Sequence, residues 1–91
     1  MTKIEIVREI VSKTGLSTKD VLVIVESLMD TIKTSMKNGE EVFLRGFGSF
    51  IVKHRAEKTA RNISKNTTVI IPAHDVPAFK PAKEFMDQVK G

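Results

Sequence analysis

Gly46-Phe47-Gly48-Ser49-Phe50 is the stretch on which the architecture turns. Before it, from Glu41 onward, Val42 and Leu44 share one face at a period of two; after it, Phe50 and Val52 do the same. Two such segments joined through closely spaced glycines predict a β-hairpin, the glycines allowing a tight bend and a close approach of backbone to something outside.

Downstream, the chain reads as a strand leaving a core. From Lys53 to Asn62 the only apolar side chains are Ala56 and Ala60, while Lys53, Arg55, Lys58 and Arg61 face a single acid, Glu57. Burial within such a segment cannot offset the entropy of ordering it, so it is expected either to be disordered or to hold its shape against a partner. Four cations make that partner a polyanion. Ile63-Ser64-Lys65-Asn66-Thr67 follows as a turn, with Asn66 best suited to a left-handed conformation, and Thr68-Val69-Ile70-Ile71 returns as a strand stopped by Pro72.

Upstream lie two helices with clear punctuation. Thr2 and Glu5 form a capping-box pattern, apolar residues recur at Ile4, Val7, Ile10 and Val11, and Gly15 supplies the stop, so the first helix runs from about Lys3 to Thr14. Ser17 with Asp20 opens a longer helix whose apolar face, Val21, Val25, Leu28, Met29, Ile32 and Met36, continues to Asn38-Gly39. Leu22, Val23 and Ile24 add apolar area outside that stripe, more than one neighbouring helix covers. A second copy of the chain would cover it. At the far end, Pro81 suits the first turn of a short last helix, Ala82 to Val89, with Phe85 and Val89 facing inward.

Composition sets the bounds. With 91 residues the chain makes one small domain with a modest core. The formal charge is +4, and its placement is more informative than its size: residues 1–50 carry seven Lys or Arg against seven Asp or Glu, residues 51–91 eight against four. All the excess is C-terminal, as a basic binding surface requires. Cysteine is absent, which excludes disulfides and thiolate metal sites and suits a reducing compartment. The longest apolar run, Val21 to Val25, is far short of the roughly 20 residues that span a bilayer, and charges at Lys3 and Glu5 argue against a signal peptide; the expectation is a cytoplasmic protein with no membrane partner.

Catalysis and cofactor chemistry find little support. His74-Asp75 are sequence neighbours, His54 stands alone in the basic run, no serine sits in a nucleophile-elbow pattern, and no pair of potential ligands has metal-site spacing. The expectation is no enzyme, no cofactor, no metal and no small-molecule substrate. Phe47, Phe50, Phe79 and Phe85 lie among apolar residues at structural spacing and read as core in preference to stacking platforms for single-stranded bases.

Gly46-Phe47-Gly48-Ser49-Phe50, Arg61-Asn62, Ile71-Pro72-Ala73 and Val76-Pro77-Ala78-Phe79-Lys80-Pro81 together make the whole chain closely resemble the bacterial HU and integration host factor family of histone-like DNA-bending proteins, most like HU. The resemblance implies an α+β fold in an intertwined homodimer: a helical body of two N-terminal helices (about 1–40), a three-stranded antiparallel sheet and β-arm (about 41–76), and a C-terminal helix (about 81–90). The arm, about 52–75, is a two-stranded ribbon that enters the DNA minor groove, where such proteins wedge apolar side chains between base steps. The wedge position, a proline in most of the family, is Ile63 here, which is apolar but lacks proline's fixed backbone angle. Asn66 stands where the family usually has glycine.

On this reading Lys53, Arg55, Lys58, Arg61, Asn62, Ile63 and Lys65 are arm contacts to double-stranded DNA. Lys3, Lys80 and Lys83 meet the bent flanks, and Gly46, Gly48 and Ser49 offer backbone N–H groups and a hydroxyl to phosphate. The resulting expectation is a nucleoid protein that bends and compacts duplex DNA with little sequence preference. Site-specific bending in the manner of integration host factor, and pairing with a paralogue, stay open at this point, as does a different class of function: a basic module gripping an acidic protein, which would explain the charge but not Asn62 and Ile63 at the tip.

Overall fold

The computed structural model describes residues 1–62 and 67–91, in the order α1 (Lys3–Thr14), α2 (Thr18–Lys37), β1 (Val42–Leu44), β2 (Gly48–Arg55), β3 (Lys58–Asn62), β4 (Thr67–Ile71), β5 (His74–Pro81) and α3 (Lys83–Lys90). The α+β class and both expected N-terminal helices are present. The chain forms two compact units, Met1–Ser35 and Met36–Gly91.

In the first unit the helix boundaries follow from capping chemistry. The Thr2 hydroxyl accepts from the Glu5 N–H at 3.4 Å, satisfying one of the N–H groups a helix start leaves open, and Gly15 closes α1 in the left-handed conformation with its N–H on Val11 O. Ser17 does the same for α2, its hydroxyl accepting from the Asp20 N–H at 3.1 Å. Val7 and Val21 are buried, but Val23 and Ile24 stay 56% and 59% exposed and Leu28 is also exposed. Of the three residues set outside the α2 stripe, Val23 and Ile24 are thus exposed and Leu22 is half-buried.

In the second unit β1, β2 and β5 form an antiparallel sheet in the order β1-β2-β5, and β3 pairs with β4 in a separate two-stranded ribbon. The hairpin turn expected at Gly46 is closed by the Phe47 N–H, which donates to Leu44 O at 3.0 Å, and Gly46 takes φ +79°, which a side chain would strain. β1 pairs only with Gly48, Ser49 and Phe50, and beyond it Val52 to Arg55 continue against β5 alone. Where β1 ends, the Glu41 carboxylate accepts the Val52 N–H at 3.4 Å.

Two expectations are corrected here. The sheet runs past residue 76, because His74–Pro81 is a full strand pairing Arg55↔His74 through Gly48↔Pro81. Its two prolines, Pro77 and Pro81, are tolerated because β5 is the edge of the sheet, where missing N–H donors break no ladder on the outer side. Pro81 accordingly ends β5 and does not open the last helix: Ala82 is the N-cap, in extended conformation with its N–H on Phe47 O at 2.9 Å, and α3 starts at Lys83. The basic segment forms the end of β2 and β3, each paired with a strand of the same chain, as expected of a two-stranded arm.

Ala56-Glu57 and Pro72-Ala73 interrupt the paired strands on opposite sides. Pro72 cannot donate to a ladder, which separates the β2–β5 sheet from the β3–β4 ribbon.

Candidate nucleic-acid interface

Residues opposite one another across paired strands share a face, and neighbours along a strand alternate. The register therefore sorts the β1-β2-β5 sheet. One face carries Val42, Phe50 and Phe79 in a row, flanked by Leu44, Val52, Pro77 and Pro81. Here Phe79 lies 5.0 Å centroid to centroid from both Phe47 and Phe50, and Phe85 of α3 stacks on Phe47 at 5.3 Å, so the four phenylalanines read as core do cluster. The other face carries Ser49, Lys53 and Arg55 of β2 with Lys80 and His74 of β5, together with the apolar Ile51, Val76 and Ala78. Three sequence-named cations and the named serine thus lie on one surface.

Beyond the break the alternation splits the remaining arm cations. Lys58 is opposite Ile71 and Arg61 is opposite Thr68, three residues apart on β3 and so on opposite faces of the ribbon. Lys58 shares its face with Ala60, Val69 and Ile71, Arg61 with Thr59 and Ile70. The ribbon is not a one-sided stripe like the sheet. Asn62 is placed by its backbone pairing with Thr67, whereas Ile63 and Lys65 lie outside the described residues.

The two glycines differ in role. A Cβ on Gly48 would lie 2.5 Å from Phe79 Cζ and 2.6 Å from Lys80 O, so this glycine is required by packing on the aromatic face. Gly46 has open space around it and is required by its positive φ. With Ser49, Lys80 and Lys83 it lines a shallow groove of about 470 Å³ at the hairpin end of the sheet. Arg45 and Phe43 line the same groove, and sequence reasoning missed both. The available signal was the period-two pattern itself, which sets Phe43 on the face opposite Val42 and Leu44.

Lys3 belongs to the first unit and is engaged: its Nζ bonds Glu26 Oε1 at 2.7 Å. His54, isolated in the sequence, is not isolated in space. It lies opposite Asp75 on the aromatic side of the sheet, Nδ1 to Oδ1 2.9 Å, at a well-exposed position. Among the described residues no cluster of three His, Asp or Glu could hold a metal ion, and no helix is long and apolar enough to cross a membrane.

A sheet with a cationic face and an aromatic face, continued by a two-stranded basic ribbon, defines a class of protein that grips a polyanion with β-structure. The bacterial DNA-binding protein family model matches residues 1–90, and the chain belongs to that family. The integration host factor subunit beta of Marinobacter nauticus is 47% identical over 90 residues, 98% of this chain and 92% of that one. The DNA-binding protein HU of Geobacillus stearothermophilus is 40% identical over 90 residues, 99% of this chain and 100% of that one. The cocrystal structure of Anabaena HU with DNA matches with a TM-score of 0.93 at 34% identity, covering 98% of this chain and 97% of that one.

Proposed function

We propose that this protein is a nucleoid-associated architectural factor of the bacterial cytoplasm, which binds duplex DNA as a homodimer and bends and compacts it with little sequence preference. The observation that carries the reading is the placement of Ser49, Lys53, Arg55 and Lys80 on one face of a sheet whose other face is taken up by its aromatic core. Contacts of this kind address phosphates and carry no base code, which favours shape and deformability over sequence. The ribbon, with Arg61 and Lys58 on its two faces, extends the contact into the minor groove, and Ile63 is assigned the wedge between base steps. Nothing in this reading calls for catalysis.

Exposure of Val23, Ile24 and Leu28 supports the dimer, since patches of this kind on a small protein mark association surfaces. A folded monomer at about micromolar concentration would count against it. Identity of 47% to an integration host factor subunit gives site-specific bending a standing of its own. One experiment separates the readings: fluorescence anisotropy on an intact duplex, a nicked duplex and an unrelated sequence at several salt concentrations. Architectural binding ignores sequence, favours the nick and, if about 6 to 10 phosphates are neutralised, weakens by roughly 10³ to 10⁵ between about 50 and 200 mM salt. Strong preference for one intact sequence supports the site-specific reading. Absence of binding at low salt overturns both and returns the acidic-protein partner.

A further inference from the structure

Phe43 lies opposite Ser49, which lies opposite Lys80, so these three form one row across the cationic face. Every other phenylalanine of the second unit joins the aromatic cluster; Phe43 is 72% exposed and beside Arg45 in the groove. Scattered exposed apolar residues are ordinary on protein surfaces. An aromatic ring ringed by Arg45, Ser49, Lys80 and Lys83 is a different arrangement, because the flanking groups fix a polyanion against the ring.

We infer that Phe43 is a nucleotide-contacting residue, whose ring takes the exposed face of a partly unstacked base in the DNA flank while Arg45, Lys80 and Lys83 hold the adjoining phosphates. This rests on the DNA-binding reading above and deepens it. Charge complementarity selects the occupant: the cations around the ring would repel the same surface on a second copy of the chain, whereas an anionic backbone carrying flat apolar bases satisfies both parts of the groove at once. The site gives the protein a preference for flanks that carry a mismatched or unpaired nucleotide, since the unstacking there is already complete.

The chain contains neither Trp nor Tyr, so Phe43→Trp installs a single reporter. In the DNA-free protein at dimer-forming concentration its emission is expected to be that of a solvated indole, and addition of duplex carrying one unpaired nucleotide in the flank is expected to quench it. In parallel, Phe43→Ala is expected to lose about fivefold or more of the preference for that duplex over a fully paired one, the scale of one base–aromatic contact, with an unchanged salt slope. A shielded, blue-shifted indole before DNA is added would show that a second copy covers the residue and would overturn the inference. So would retention of the full preference by Phe43→Ala, or an unquenched indole while anisotropy reports bound DNA. If the unsubstituted protein binds no DNA at low salt, the functional reading fails and the inference falls with it, an outcome distinct from the other three.

Discussion

The eight residue pairs of the β2–β5 ladder divide four to each face: one face has Phe50, Val52, Phe79 and prolines, and the other has Ser49, Lys53, Arg55 and Lys80 around a small apolar patch of Ile51, Val76 and Ala78. Alternation at a period of two is the whole cause. The aromatic face stabilises the sheet through burial, which is indifferent to charge and salt; on the other face Ile51, Val76 and Ala78 are half-buried, while Lys53, Arg55 and Lys80 stand exposed. Stability and binding should therefore separate between the aromatic residues and the cations, which alternation sets on opposite faces, and substitutions in the two groups should move different observables.

The largest effect belongs to the aromatic face. Phe79→Ala removes the ring that touches Phe47, Phe50 and Phe85. Deleting a phenylalanine from a full core costs about 3–5 kcal/mol; with Phe79 37% exposed in the single chain, about 2–3 kcal/mol is expected. Denaturant unfolding measures it, and the folded fraction should keep the parent salt slope for DNA. A loss of slope with intact stability would break the division between faces. Gly48→Ala comes next. The added methyl meets not only the Phe79 ring but the Lys80 carbonyl, and backbone cannot swing aside, so about 1–3 kcal/mol of destabilisation is expected from overpacking. A neutral result would show that the Phe79 ring and β5 shift readily and that Gly48 is not fixed by packing.

Much of this was legible beforehand because it rests on local chemistry. The α1 boundaries and the Gly46 turn follow from capping and positive φ, each visible within a few residues, whereas the β3–β4 ribbon was implied by the family resemblance and not by alternation. What escaped depended on position within the sheet. Pro77 and Pro81 disfavour a strand unless that strand is an edge, and edge status is a property of strand order, which no local window contains. The interface divides the same way. Lys53 and Arg55 were named from charge and do share a face, but charge alone could not reveal that Lys58 and Arg61 face apart, which the odd spacing between them decides. His54 and Asp75, 21 residues apart in the chain, needed the register to meet.

On the cationic face the expected change is in salt dependence. If Lys53 and Arg55 each meet a phosphate, as proposed, replacing both with Ala should lower the slope of log affinity against log salt by about 1.8, at about 0.9 per contact, with unfolding free energy altered by less than about 0.5 kcal/mol. Lys80→Ala alone should lower it by about 0.9. An unaltered slope for the pair would place the DNA elsewhere, and a large loss of stability would mean that this face is structural after all.

The smallest effect gives the finest test of sidedness. Asp75 is charged but lies on the aromatic side of the ladder, paired with His54 where both side chains are about two-thirds exposed. Even an exposed ion pair is worth only about 0.2–1 kcal/mol, so losing this exposed His54–Asp75 contact in Asp75→Asn should cost no more than that, and the substitution raises the net charge by one. If DNA meets only the opposite face, the carboxylate touches no phosphate, its influence acts across the thickness of the sheet, and it is attenuated over a Debye length of about 10 Å at 0.1 M salt. Affinity should then rise less than about twofold, with the slope unchanged. A severalfold gain with a steeper slope would mean that phosphates approach Asp75 directly, so that DNA wraps both faces of the arm root, as the opposed Lys58 and Arg61 already allow in the ribbon beyond it.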